Sequence, residues 1–494
     1  MKIKNKNTQF FVLVLIAIIF CEVLSFIGYF EPMVVNAAAL IILGFATYLT
    51  FKKPAYGFLI ILCELIIGSQ GYLLWVGEAG NHLSLRIALW IVVMVTWLVK
   101  ELFEVIREKK IPAYWFNFSY YFPLLLLLLA VVVAVINGVL HGNDTTLIFI
   151  EAKRWLYLVT IIPIVILLGD SDSRQKFPLV AGAAVVWISL KTLLLLYIFS
   201  HGLAISSPIY AWTRADLLGE ITTLASGFSR VFLQSQVFAI PGFIFSSIIF
   251  LKYLNENSWK LSKRIAIYGL TSALFLSVII TSLSRSFWFG MAIALFVILF
   301  TIVAVFRQNI RQWFITIGYI IGIGLTTLVL LFIVLQFPVP KPLFSFNAKL
   351  LSDRANANDA AADSRWALLP VMTQATIKEP VFAYGLGKTL TYTSSDPRIA
   401  KSSVDGLYTT NAFEWGWLDI WLKLGILGVV AYLWLLLAIL KQAISTLKIN
   451  PYQSLAIMGS LFALLSLNMF TPYLNHPLGF AYLGLLMLIG RRLD

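Results

Sequence analysis

Charge is what this sequence has least of. Asp, Glu, Lys and Arg make up only 12% of its 494 residues, about half the share of an ordinary soluble domain. Apolar residues fill 60% of the chain and the mean hydropathy is +0.88, more apolar surface than a soluble core of this length buries. A soluble globular fold is excluded, and the chain reads as a polytopic membrane protein. Cysteine is nearly absent too: Cys21 and Cys63 both fall inside apolar runs, which gives neither a disulfide framework nor a metal-ligand spacing. Acidic residues are outnumbered, 23 against 37 Lys and Arg, for a net charge of +14. In a soluble protein that excess would suggest nucleic acid. Here most basic residues sit in short loops between apolar runs, as orientation in a membrane requires, so no nucleic-acid partner is read from them.

A helix needs about 20 apolar residues to cross the hydrocarbon core, and fourteen segments qualify. They lie near 9–29, 33–50, 55–74, 83–100, 119–139, 147–168, 177–200, 231–251, 265–282, 286–306, 313–336, 416–440, 453–472 and 477–490. The first follows "MKIKNKN" and has a longer apolar run than a signal peptide, with no small-residue cleavage site at its end. It is read as an uncleaved span. If fourteen spans alternate, "FKKPA", "VKELFEVIREKK", "GDSDSRQK", "LKYLNENSWKLSKR", "FRQNIRQ", "LKQAISTLKINP" and both termini share one side. That basic side is expected to be cytoplasmic. The opposite loops carry almost no Lys or Arg but hold all four histidines, His82, His141, His201 and His476.

The expected organisation is transmembrane helices 1–11 over 1–336, an extracytoplasmic loop over 337–415, and helices 12–14 over 416–494. Within the loop, "DSRWALLPVMTQATIKEP" reads as a helix that Pro380 ends, and "AYGLGKT" as a turn in which Gly385 and Gly387 permit the bend. "GLGKT" ends like a P-loop, but Phe382 stands where the motif needs its first glycine. Asp353, Asp359 and Asp363 lack the spacing of a calcium loop and read as a solvated turn. No metal site is expected.

One cation stands where it is costly. "TSLSRSFWFG" (281–290) joins two apolar runs, and an arginine at the bilayer centre costs about 2.5–3.5 kcal/mol on the mildest scale. With the alternation above, "SLSR" is a tight turn at the outer leaflet, with Trp288 as an interface anchor. The plain reading of Arg285 is an arginine that snorkels to the headgroups. The other is a site for a phosphate headgroup. Arg230 stands where the 201–230 segment re-enters the membrane, Arg365 opens the loop helix, and Lys153 and Arg154 lie at the outer end of span six. Arginine grips phosphate through bidentate, charge-assisted hydrogen bonds. Lys191, inside span seven, calls for an acidic partner that the sequence does not name.

The helix ending in "TSLSRSFW", the loop with "SRWALL" and "EPVFAYGLG", and the following "WLDIWLKLGILGVVAYL" resemble the O-antigen ligase and O-antigen polymerase superfamily of bacterial envelope glycosyltransferases. The resemblance is strongest over about 225–440. It implies a bundle with a core of about twelve spans in the bacterial cytoplasmic membrane. It also implies transfer of glycan from an undecaprenyl diphosphate carrier to a glycan or lipid acceptor hydroxyl on the outer face, with no nucleotide sugar, cofactor or essential metal. Arg285 and Arg365 correspond to arginines implicated in handling the lipid diphosphate, and Arg230 to a third. The chain also departs from the pattern. Ligases carry a histidine, then asparagine, about eleven residues before the glycine matching Gly425; here those positions are Glu414 and Trp415, and the 337–415 loop has no histidine.

Glu414 is therefore the expected general base. If the twelfth span began by residue 414, Trp417 and Trp421 would share its face and supply a partly dry pocket. The plain reading is an interfacial glutamate; Asp405 and Asp419 are weaker candidates for the same role. The departure favours a polymerase-like or divergent transferase over a lipopolysaccharide ligase. The alternative function is a flippase or other transporter for lipid-linked oligosaccharide, disfavoured by the absence of visible repeats.

Overall fold

The computed structural model describes residues 2–78, 81–109, 120–224, 228–256, 263–306, 310–337, 360–394 and 406–491. Asp353, Asp359 and Asp405 lie outside them. The chain is an all-α polytopic bundle, and each of the fourteen apolar segments contains a helix among the described residues, although the third is helical only to Ile67 and the eighth only from Gln234. In order the helices are α1 (Lys2–Phe30), α2 (Pro32–Lys52), α3 (Pro54–Ile67), α4 (Leu85–Glu108), α5 (Tyr121–Leu140), α6 (Thr145–Val159), α7 (Ile161–Leu167), α8 (Ser171–Ser200) and α9 (Ser206–Ala215). They continue with α10 (Ala239–Glu256), α11 (Lys263–Thr281), α12 (Arg285–Thr301), α13 (Ile310–Gln336), α14 (Ala360–Lys378), α15 (Gly416–Ser445), α16 (Pro451–Phe470) and α17 (Pro477–Gly490).

Ten of the described helices are long and apolar enough to cross a membrane; α3 and α17 are apolar but shorter. Their 14 residues span about 21 Å at 1.5 Å per residue, short of the hydrocarbon thickness of about 30 Å. Both are buried in the bundle, where protein rather than lipid surrounds them. Pro32, Pro54, Pro451 and Pro477 each open a helix, where the missing N–H costs nothing. The sixth segment departs from expectation by splitting into α6 and α7 around Thr160. Pro163 is the cause: it has no N–H to return to the Val159 carbonyl, and its ring crowds that turn.

Among the described residues three antiparallel strand pairs interrupt the helices: β1 (Trp75–Glu78) with β2 (Asn81–Ser84), β3 (Glu220–Thr223) with β4 (Ser229–Phe232), and β5 (Leu390–Thr393) with β6 (Leu407–Thr410). All fall in segments expected on the histidine-bearing side. Contacts agree with that alternation. The Ser69 N–H donates to Ser235 Oγ at 2.9 Å, Arg230 Nε to the Ser282 carbonyl at 2.8 Å, and His201 Nε2 lies 2.9 Å from the Phe337 carbonyl. At the other end Lys53 pairs with Asp172 at 2.9 Å, Lys100 donates to the Phe51 carbonyl at 3.0 Å, and Arg174 to the Arg491 carbonyl at 2.9 Å. The bundle therefore has a loop face, with the strand pairs, and a basic face.

Lys191 on α8 has its partner: Glu22 on α1, at 2.8 Å, both buried. Above them Trp212 of α9 lies 5.0 Å from the Lys191 ammonium and donates to Ser25 Oγ at 3.0 Å, which in turn reaches Asp216. Burial pushes the Asp216 carboxyl up to about 7, against the pull of Ser25, Trp212 and Lys191. A carboxyl raised above its unfolded value binds more protons folded than unfolded, so stability falls as pH climbs from about 4 to about 7 and then levels. Asp216→Asn is expected to flatten that fall. Thermal midpoints in detergent across pH 5 to 7.5 test it, and an unchanged slope would assign the pH dependence to other groups.

Candidate functional site

The turn at 281–286 is tightly built. Leu283 adopts φ +49° while buried, a left-handed conformation that a branched side chain takes up only when its surroundings enforce it. Ser284 Oγ lies 3.0 Å from Ser286 Oγ, and Trp288 Nε1 donates back across the turn to the Ile279 carbonyl at 3.1 Å. Arg285 is thereby set as the first residue of α12, partly buried. Arg230 on β4 meets the same turn through its bond to the Ser282 carbonyl, its guanidinium 4.8 Å from the Phe232 ring. A helix N-terminus favours an anion, and arginines beside it add to that preference. The structure thus brings Arg285 and Arg230 together.

Arg365 and Glu414 form an ion pair with each other, their side chains each 45% exposed. Trp415 fixes the arrangement: its Nε1 donates to the Arg365 carbonyl at 2.9 Å, and its ring packs edge-on to Trp366 at 5.0 Å. The expected tryptophan pocket takes a different form. α15 begins at Gly416, and Trp421 donates instead to the Pro380 carbonyl at 2.9 Å. The neighbour of Glu414 is an arginine, and the group is half open to solvent. Aromatic contacts link this pair to the Arg285 turn. Phe470, which ends α16, packs 5.6 Å from Trp415 and 5.6 Å from Phe289, and Thr471 Oγ1 donates to Ser286 Oγ at 3.3 Å.

Lys153 and Arg154 part company. Lys153 sits 4.9 Å from the ring of Phe149, an exposed apolar residue. Arg154 instead lines a small polar cleft with Glu151, Asp419, Lys423 and Asn475. In it the buried Lys423 ammonium lies 2.9 Å from Glu151 and 2.8 Å from Asp419, and donates to the Asn411 carbonyl at 2.9 Å. Asn475 donates to Asp419. Glu151 also accepts from the Gly387 N–H at 2.9 Å and from Asn411 Nδ2 at 3.0 Å. One carboxylate therefore ties down the segments on either side of the β5–β6 pair. Asp419 is held in this cluster rather than beside Glu414.

Sequence reasoning passed over Glu151 and Lys423, yet each carried a signal: a charge within an apolar run, with Asp419 four residues before Lys423 on one helix face. Beside the cleft, burial, then Arg86 and Arg154, hold the His476 imidazole well below its usual range. Lys423→Met would leave two carboxylates buried without their cation, a change that costs about 3–5 kcal/mol. A matching drop in the detergent melting midpoint is expected, with loss of protection of 387–394 and 406–411 in hydrogen exchange. Unchanged protection would mean the loop is held elsewhere.

The loop docks through backbone as well. α15 breaks at Gly425 (φ 68°, ψ −169°), and the Ile426 N–H, freed by the break, is taken up by the carbonyls of Pro380 and Val381. A Cβ at Gly425 would stand 2.1 Å from the Val381 carbonyl oxygen. The turn that follows rests on the α5–α6 corner: the Leu386 N–H donates to the Ala134 carbonyl at 2.9 Å, and Asn143 Nδ2 to the carbonyls of Tyr384 and Leu386. Gly385, at φ +76°, would place a Cβ 2.0 Å from the Gly138 nitrogen.

Fold and site together define a polytopic helical membrane protein with arginines gathered on one face around a docked, partly helical loop. Residues 270–433 match the family model described as O-antigen ligase. The resemblance to the O-antigen ligase and polymerase superfamily is borne out over that stretch, which contains Arg285, Arg365 and Glu414; Arg230, Lys153 and Arg154 precede it. No curated protein and no solved structure matches the chain. The match supports an O-antigen ligase-like role in handling glycans at a membrane.

Proposed function

We propose that the protein is a glycosyltransferase that takes glycan from an undecaprenyl diphosphate carrier and joins it to an acceptor hydroxyl at the outer face of the bacterial cytoplasmic membrane. What supports the reading is the O-antigen ligase match over the residues that hold Arg285, Arg365 and Glu414. The carrier diphosphate lies at the Arg285 turn, with Arg230 behind it and Arg365 reaching from the loop helix. Glu414 takes the proton of the acceptor hydroxyl, the hydroxyl oxygen bonds to the anomeric carbon, and the glycosidic C–O bond to phosphate breaks. The electron pair leaves with undecaprenyl diphosphate, whose growing charge the arginines stabilise. A single displacement inverts the anomeric centre.

The test is purified protein in micelles given lipid-linked glycan and an acceptor glycan. Release of undecaprenyl diphosphate with elongation of the acceptor supports transfer; binding without release sinks it in favour of a flippase. The breaks between α6 and α7 and at Gly425 suit a transporter. The Ile426 N–H freed at Gly425 is nonetheless bonded to the loop rather than open to a cargo.

The reading puts the loop face outside and both termini in the cytoplasm. Thr409 on β6 is exposed. Thr409→Cys is expected to react with an impermeant maleimide in intact cells, or in spheroplasts where an outer membrane is present. Labelling only after the membrane is broken would invert the orientation.

A further inference from the structure

α5 is 20 residues long, a rise of about 30 Å that matches the hydrocarbon thickness of a bilayer. Its last residue, Leu140, therefore marks the edge of the apolar layer on the loop face. Glu379, just beyond the loop helix, sits at that edge: its carboxylate lies 3.4 Å from Nε2 of His141, the residue that caps α5. From there the chain turns inward. Asn137 Nδ2 donates to the Phe382 carbonyl at 2.6 Å, and the Ala134 carbonyl accepts from the Leu386 N–H at 2.9 Å. At 1.5 Å per helical residue, the stretch from Phe382 to Leu386 lies about 5 to 9 Å below the end of α5.

Backbone that is not helical is tolerated at such a depth only where protein takes up its polar groups. Pro380 has no N–H to satisfy. Its carbonyl accepts from Trp421 Nε1 at 2.9 Å and from the Ile426 N–H at 3.1 Å, and the Val381 carbonyl accepts from the same N–H at 3.3 Å. The Tyr384 N–H donates to the Leu422 carbonyl at 3.1 Å. Side chains then divide by direction. Ala383 and Leu386 are buried, whereas Val381 is 52% and Phe382 71% exposed. Ile136, beside Asn137 on α5, and Ile426 on α15 are exposed at the same levels, and on a spanning helix such residues face lipid. The outward side of the turn continues that surface. We propose that residues 380–386 form a re-entrant wedge in the leaflet on the loop side of the membrane, with Val381 and Phe382 against the acyl chains of bilayer lipid. Such a wedge pins the loop that carries Arg365 and Glu414 at the level of the headgroups. It stands whether or not the transferase reading does, and in either orientation of the chain.

Spin labels on Val381→Cys and Phe382→Cys test it, in full-length protein whose native thiols are removed by Cys21→Ser and Cys63→Ser and which is reconstituted in nanodiscs of phosphatidylglycerol and phosphatidylcholine. Collision with molecular oxygen, which concentrates in hydrocarbon, is compared with collision with a water-soluble nickel chelate. Ile136→Cys is the lipid reference and Thr409→Cys, on the exposed part of β6, the aqueous one. At both turn positions the oxygen-to-nickel ratio is expected to be severalfold above that at 409 and close to that at 136. A ratio like that at 409 puts the turn in water and overturns the proposal. Labels shielded from both reagents show that protein covers the turn, a second copy of the chain included, and overturn it as well.

Discussion

Replacing Glu414 by glutamine is expected to lower turnover about 100- to 10,000-fold, the range over which a general base contributes, while the donor binds more tightly. The second half follows from the ion pair. With no donor present, Arg365 is held by Glu414, so a diphosphate must compete with a carboxylate for the same guanidinium. A half-exposed pair of this kind is worth up to about 1 kcal/mol, and its removal should tighten donor binding by at most about fivefold. Donor binding would then also release the carboxylate to accept a proton. A pair that merely braced the loop would show the opposite pattern, with weaker donor binding and a lowered melting midpoint in Glu414→Gln. Glu414→His should retain more turnover than glutamine, since imidazole can also accept the proton. Native turnover in Glu414→Gln would move the base to Asp419 or Asp405.

How far the sequence reveals this arrangement depends on the distance over which each feature is encoded. Helix positions are local: apolar runs and the prolines at 32, 54, 451 and 477 place them, and Pro163 marks the split between α6 and α7. The Arg285 turn is local as well, since "SLSR" between two apolar runs leaves little other choice. Pairings are not local. Lys191 plainly needs an acid, but Glu22 lies 169 residues away, and Glu151 meets Lys423 across 272. The break at Gly425 is hidden for a different reason. Glycine is frequent in intact membrane helices, so only the carbonyls of Pro380 and Val381, supplied by another segment, show that this one is bent. Arg365 and Glu414 were each legible as candidates from charge and resemblance. That they neutralise one another depends on how Trp415 seats the loop helix.

Arg285→Lys separates the two readings of the residue with which the site begins. An arginine that only snorkels is replaced well by lysine, whose stem and charge reach the headgroups equally. An arginine that grips a diphosphate is not, because lysine loses the planar fork that matches two phosphate oxygens. The position itself argues for the second reading. As the first residue of α12, Arg285 puts a cation at the positive end of a helix dipole, which disfavours it by about 0.3–1 kcal/mol. Arg230 brings a second cation to the same turn through Ser282. An anion between them removes both penalties at once and gains the helix N–H groups besides. Arg285→Ala is expected to lower turnover roughly 100- to 1,000-fold, the loss seen when one donor to a developing oxyanion is removed. Arg285→Lys should fall well short of wild type, with an unchanged melting midpoint. Full activity in the lysine variant would leave Arg285 as an anchor of α12, and the diphosphate would then have to be held by Arg365 and Arg154.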